Sequence, residues 1–223
     1  MKNLEQFRNS KGWIWLNVAS SIYVLEDFVN LDNHILLGLS KAYPLLKAIL
    51  PGKYNTVIEQ YRAAKTKAKL IKHDCRKPLP IANGVVDHIL CSHFLEHVYP
   101  TEADNILHDF YRALKAGGTL HVIVPDLKEH VTQYLRRTEE NIASAADELI
   151  KETLLARESK GTLKYRLLEF SGAFGLQHRW MYDYASMGAK LIQAGFEILG
   201  ANDTPSKDYR QNDGSVHIVV KKI

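Results

Sequence analysis

Three phrases between His73 and Leu127 decide the fold. They are Leu79-Pro80-Ile81-Ala82-Asn83-Gly84-Val85-Val86-Asp87, Ser92-His93-Phe94-Leu95-Glu96-His97, and Arg112-Ala113-Leu114-Lys115-Ala116-Gly117-Gly118 running on to Val124-Pro125-Asp126-Leu127. Val85 to Cys91 is a short, apolar, β-branched run and reads as a buried strand. Thr119 to Val124 is another, closed by Pro125. Between them Ile106, Leu107, Phe110, Tyr111 and Leu114 recur at helical spacing, which predicts an amphipathic helix over 101–115. Thr101 is its expected cap, with Asp104 near the positive end and Gly117-Gly118 as the stop. Strand, helix, strand in that order is the repeating unit of a parallel sheet covered by helices.

The same pattern extends in both directions. Apolar runs predict strands at 13–18, 28–32 and 69–73 before this segment, and at 196–199 and 216–220 after it. Asp183 is placed to cap a helix reaching Ala194, with Gly195 as its stop. Two stretches fit less neatly. Residues 34–68 and 127–170 read as helical insertions, the second long and charged. The expectation is one α/β domain over 1–223, a Rossmann-like, seven-stranded, mostly parallel sheet with helices on both faces and two insertions. In such sheets ligands bind beyond the carboxyl ends of the strands, where the strand order reverses. The informative residues are therefore those that follow each strand.

Composition narrows the partners. A chain of 223 residues can bury a full core, and a net charge of +4 is too mild to argue for nucleic acid. Arg62, Lys65, Lys67, Lys69, Lys72, Arg76 and Lys77 form a basic run, read as a solvated helix face leading into a strand, so no nucleic-acid partner is expected. Residues 35–50 could pack on the sheet, the favoured reading, or lie on a membrane surface. Cys75 and Cys91 are too few for a disulfide framework, and without metal-type spacing no metal centre is expected. Met1 to Ser10 lacks the apolar core of a signal peptide, and no run approaches the ~20 apolar residues of a membrane span, so a cytoplasmic location is expected. The absence of a G-x-G-x-x-G fingerprint argues against a dinucleotide-dependent oxidoreductase.

Residues 73–126 resemble the class I S-adenosylmethionine (SAM)-dependent methyltransferases. They are most similar to a group of small predicted methyltransferases with an S-H-x-L-E-H motif, some of which accompany glycan and cell-surface polysaccharide synthesis. Residues 13–32 share the pattern weakly. Residues 178–222 share it moderately, through His178-Arg179-Trp180-Met181-Tyr182. The resemblance implies SAM as cofactor and a small-molecule or glycan hydroxyl as acceptor. It implies that Asn17, Ala19, Ser20 and Ser21 hold the amino-acid end of SAM and that Asp32 takes the ribose hydroxyls. Asp74 would accept from the adenine amino group, and the Cys75 N–H would face a ring nitrogen. Ser92 would face the cofactor.

His93 and His178 are the candidate general bases, since an imidazole exchanges protons near neutral pH. Trp180, Tyr182 and Tyr184 would wall the acceptor around His178. Asp126 points to the acceptor side or caps a helix, and Glu96 and His97 read as structural. One feature departs from the family: the first turn reads Leu16-Asn17-Val18-Ala19-Ser20-Ser21, without the glycines that let a backbone bend sharply against a ligand. The alternative is a chain that keeps this fold, has lost SAM and acts through partners.

Overall fold

The structure, a computed structural model, describes residues 4–34, 37–38, 52–156, 177–200 and 204–223. Most of the stretch at 35–50, and the end of the second insertion, lie outside the described residues.

Seven strands form one sheet: β1 (Trp15–Val18), β2 (Val29–Asp32), β3 (Leu70–Lys72), β4 (Val86–Ser92), β5 (Leu114–Pro125), β6 (Phe196–Leu199) and β7 (Ser215–Lys222). Their order across the sheet is β3-β2-β1-β4-β5-β7-β6. The first five run parallel, and β7 lies antiparallel between β5 and β6. Helix α1 (Gly52–Lys67) connects the parallel strands β2 and β3, so the second half of the stretch read as an insertion is a crossover helix. Helix α2 (Pro100–Ala113) joins β4 to β5, α3 (Leu127–Glu139) and α4 (Ala145–Glu152) follow β5, and α5 (Tyr184–Gln193) precedes β6.

Side-chain alternation along the strands builds two apolar layers. Leu16, Ile89, Cys91, Val122 and Val124 join Ile106, Leu107 and Phe110 of α2 and Met187 and Leu191 of α5 in the main core. Trp15, Leu90 and Ile123 point the other way and pack with Phe28, under Leu25 and Tyr209. Helix α3 buries none of its side chains and ties itself to α4 through Arg137, which meets Glu148 and Glu152.

Two expectations need correction. Helix α2 begins one residue before Thr101: Pro100 opens it, and the Tyr99 N–H donates to Glu102 Oε2 at 2.9 Å. It also ends at Ala113, because Leu114 already pairs with Val86 in the sheet. Gly117-Gly118 then belongs to a bulge in β5 rather than to a helix stop. A side chain at Gly118 would meet the Lys115 and Val86 carbonyl oxygens at 3.0 and 3.1 Å, so only glycine suits this close approach. Asp183 does cap α5, accepting from Ser186 N–H at 2.7 Å, and Gly195 follows with φ +98°.

Candidate functional site

Between β1 and β4 the chain leaves in opposite directions, towards β2 on one side and β5 on the other. The carboxyl ends of these two strands are therefore the place for a ligand. Both end in a left-handed residue that is not glycine: Ala19 (φ 55°) after β1 and His93 (φ 51°) after β4, with Ser21 (φ 49°) two residues beyond Ala19. The first turn thus follows the glycine type of path without glycine, at a cost of about 1–2 kcal/mol per residue.

Buried amides hold this turn. Only ten residues separate β1 from β2, and they form turns rather than a helix. Asn17 Nδ2 donates to the Tyr23 carbonyl and to Asn30 Oδ1, both at 2.9 Å. Asn30 in turn accepts from Leu25 N–H at 2.9 Å and donates to the Phe28 carbonyl at 3.0 Å. The Asn17 side chain, assigned from the sequence to the cofactor, is engaged in this crossover. Ser20 is buried, and its N–H reaches the Leu31 carbonyl at 2.9 Å.

Asp32, at the end of β2, is buried and fully engaged. Its Oδ2 accepts from Ser21 N–H at 3.0 Å, and its Oδ1 accepts from His34 N–H at 2.7 Å and from the Tyr61 hydroxyl at 3.2 Å. Tyr61 comes from α1 and is itself buried. Burial and the Asp32 charge push its phenol above the ordinary range, so it remains a donor. The His34 ring stacks on it at 5.3 Å, and burial lowers that imidazole's pKa.

Asp74, after β3, is clamped by Arg76 through Nε at 2.9 Å and Nη2 at 2.8 Å. Burial works to raise this carboxyl, but the Arg76 hydrogen bonds and charge hold it below the usual range. The Cys75 thiol is buried and pushed up to about 12, which makes it inert.

Beyond β4 the side chains form a polar cluster. The Ser92 hydroxyl is buried and has no hydrogen-bond partner among the described residues. His93 turns Nε2 to Ser215 Oγ at 3.3 Å and to Asp213 Oδ2 at 3.6 Å, and Nδ1 to Glu96 Oε1 at 3.3 Å. Glu96 is 0% exposed. His97 places Nε2 3.9 Å from Glu96 Oε1 and Nδ1 3.1 Å from the Gln177 carbonyl. The Glu96 carbonyl accepts the N–H groups of Arg179 and Trp180 at 2.7 and 3.2 Å, which fastens the late segment here. His178 is buried against His97, ring centroids 4.9 Å apart, with Nδ1 3.3 Å from Met181 Sδ. Burial lowers the His178 pKa, partly offset by Glu96.

The expected aromatic wall is not assembled. Tyr182 is buried in the main core, while Trp180 and Tyr184 are about half exposed. Asp126 serves as the cap of α3, accepting from Lys128 N–H at 2.9 Å. Tyr61, Asn30 and Asp213 were missed in the sequence. Only the Ile58–Tyr61 spacing, three residues apart on one buried face of α1, hinted at any of them.

The basic run is partly used within the fold. Lys65 donates to the Leu37 carbonyl at 3.1 Å, and Lys69 lies 4.1 Å over the Phe7 ring. Arg62, Lys65, Lys69 and Lys72 also line an open cavity of about 940 Å³ beside β3. None of Asp32, Asp74 and His93 lines it, so the strand-end geometry and not this cavity locates the candidate site.

Comparison with known proteins agrees with the sheet order. Residues 53–122 match a family model described as a methyltransferase domain. The match covers α1 to β5 and leaves out the β1 turn and Asp32. No curated protein sequence matches the chain. A SAM-dependent methyltransferase from Methanosarcina mazei is similar in structure, with a TM-score of 0.51 and 16% identity over 99% of this chain and 95% of that one. The PH0226 protein of Pyrococcus horikoshii OT3 follows with a TM-score of 0.50 and 14% identity over 98% and 84%. The fold is the Rossmann-like class I methyltransferase fold. None of the described helices is long and apolar enough to cross a membrane.

Proposed function

We propose that this chain is a SAM-dependent methyltransferase acting on a hydroxyl group of a small molecule or glycan. The observation that carries the reading is the turn after β1. Ala19 and Ser21 keep the left-handed path that glycines would otherwise provide, and the turn closes on Asp32 through the Ser21 N–H. Strain of this kind persists only where the surrounding structure enforces it, and it gathers at ligand sites.

The residues suit SAM. A ribose diol needs an acceptor, and Asp32 Oδ1 already accepts a hydroxyl, that of Tyr61, which a ribose hydroxyl would replace. Arg76 places two of its three hydrogen bonds on Asp74 Oδ1 and one on Oδ2, so Oδ2 keeps a lone pair for an adenine amino group. When bound, SAM supplies a sulfonium methyl that passes in line to the acceptor oxygen. The chain's contribution is largely positioning. The Ala19–Ser21 backbone would fix the amino-acid end and Asp32 the ribose, while His93, across the switch point, would contact the acceptor. His178 stands behind His93 with Glu96 and His97, and we place it in that cluster rather than on the acceptor. The hydroxyl class of acceptor follows from the resemblance of the Ser92–His97 and His178–Tyr182 segments.

A second reading has one observation behind it. The Tyr61 hydroxyl takes the Asp32 oxygen proposed here for the ribose, as it would in a chain that keeps the fold and no longer takes SAM. Calorimetric titration with SAM and S-adenosylhomocysteine separates the two. Micromolar binding by the wild type, abolished in Asp32→Ala, is the expected result. No binding by folded wild type would favour the second reading, and normal binding by Asp32→Ala would refute the ribose placement.

A further inference from the structure

We infer that Glu96, His97 and His178 form a binding site for a divalent transition metal of the zinc class. One ring nitrogen of each histidine and a Glu96 carboxylate oxygen lie within 4.8 Å of one another. Glu96 is 0% exposed, and neither of its carboxylate oxygens has a hydrogen-bond partner among the described residues. A buried carboxylate left in that state is costly unless a positive charge faces it.

The tautomers sharpen the case. A carbonyl oxygen can only accept, so the Gln177 carbonyl at 3.1 Å makes His97 Nδ1 the donor. His97 Nε2 then keeps its lone pair, and it is this atom that faces Glu96 Oε1 at 3.9 Å. His178 offers its own ring nitrogen from the other side, its ring edge-on to His97 with centroids 4.9 Å apart and its Nδ1 3.3 Å from Met181 Sδ. The acceptor-to-acceptor contact is therefore that of His97 Nε2 with Glu96 Oε1, and His93 flanks it with Nδ1 3.3 Å from the same oxygen. Two acceptors facing each other inside a protein repel. One proton could relieve one such contact, whereas one divalent cation relieves the whole cluster.

Two imidazoles and a carboxylate, with the His97 ring braced by an outer carbonyl, are the donor set of three-ligand zinc sites that keep an open position. Donor atoms of a tetrahedral zinc site stand ~3.3 Å apart, given bonds of ~2.0–2.1 Å. The 4.8 Å cluster would have to contract by about 1.5 Å to reach that spacing on metal binding. The side chain of His93, 25% exposed, leads from the cluster to the surface. The inference is independent of SAM binding.

The test uses the full chain without a histidine tag, stripped by a chelator. Zn²⁺ affinity is read by competition with a chromophoric chelator, and the ligand set by visible absorption after Co²⁺ loading. The expected result is one equivalent of metal per chain, a tetrahedral Co²⁺ spectrum and a higher melting temperature with Zn²⁺. Glu96→Gln and His178→Gln should each weaken Zn²⁺ by about 100-fold or more, since loss of an outer-shell partner alone costs 10–100-fold. His108→Gln, a change on the far side of α2, should bind as the wild type does. If Glu96→Gln fails to fold, His97→Gln takes its place. Substoichiometric uptake by folded wild type, or unchanged affinity in the Glu96 and His178 variants, would overturn the inference. Titration of the same samples with S-adenosylhomocysteine keeps this outcome separate from that of the methyltransferase reading.

Discussion

Tyr61→Phe removes a single hydroxyl and leaves the ring stacked on His34. In the free protein that hydroxyl donates to Asp32 Oδ1 at 3.2 Å. Hydrogen bonds to charged groups are worth about 1.5–3 kcal/mol, and this one is longer than the 2.5–3.0 Å usual between oxygens, so the low end applies. If a ribose hydroxyl takes the same oxygen, the wild type must give up the Tyr61 bond when SAM binds, and the phenylalanine variant need not. About 1.4 kcal/mol is a factor of ten in affinity, so the variant should bind S-adenosylhomocysteine about 10-fold more tightly. Without ligand it should be less stable by about 1.5 kcal/mol, a fall of about 3–6 °C in melting temperature for a chain of this length. Calorimetry and thermal melting measure the two effects on one sample. A lowered melting temperature with unchanged or weaker binding would show that Tyr61 stays on Asp32 in the complex, and displacement by the ribose would be refuted.

Ala19→Gly should relieve the left-handed strain at φ 55° while costing some backbone entropy, a net gain of about 0.5–1 kcal/mol. The measurement is a rise of about 2 °C in melting temperature, and a fall would mean that the turn is shaped by something other than the path of its backbone. The buried histidines give a pH dependence. Burial lowers His88 to about 3 and His121 to about 4, each helped by the neighbouring imidazole. An unfolded histidine titrates near 6.5, so the unfolded chain binds more protons below that pH. Their stability contribution is complete above about pH 6.5 and is lost as pH falls towards 4. By pH 5 it should be down by about 2 kcal/mol per histidine, seen as a lower urea midpoint than at pH 7.5. His121→Asn should flatten that slope; an unchanged slope would mean that these rings are not held neutral.

Period and punctuation made much of the fold legible. All seven strands were marked by apolar runs, most clearly the central β1, β4 and β5, because a strand buried on both faces has little room for polar side chains. Asp183 and Gly195 were readable because caps and stops are local chemistry. Failures came where a distant partner decides. Leu114 has helical spacing, yet Val86 draws it into the sheet. Asp126 could face an acceptor, but Lys128 N–H lies two residues away and claims it. At the site, Asp32 and His93 were legible as strand-end residues. Tyr61 was not, because its hydroxyl reaches Asp32 only after α1 has crossed over to β3. Nor could the sequence show that Glu96 is fully buried, since the segment that covers it, Gln177 to Trp180, lies some eighty residues further along.

The distribution of backbone strain ties these observations together. Among the described residues, seven that are not glycine have positive φ. Asn141 and Leu154 each follow the cap of a helix, where a left-handed residue satisfies the last carbonyls. Arg210 and Asn212 lie in a run of turns ahead of β7. The other three, Ala19, Ser21 and His93, terminate no helix. They stand at the ends of β1 and β4, where the sheet order reverses, and the hydrogen bonds around them hold that shape. Ser21 N–H is fixed by Asp32, and His93 N–H is fixed by the Ile123 carbonyl at 2.9 Å. A fold that served only as a scaffold would gain stability by losing this strain, since glycine is one substitution away in each case or the turn could relax. Its persistence at both strand ends, beside a buried carboxylate on each side, is the pattern expected of the ligand site proposed above.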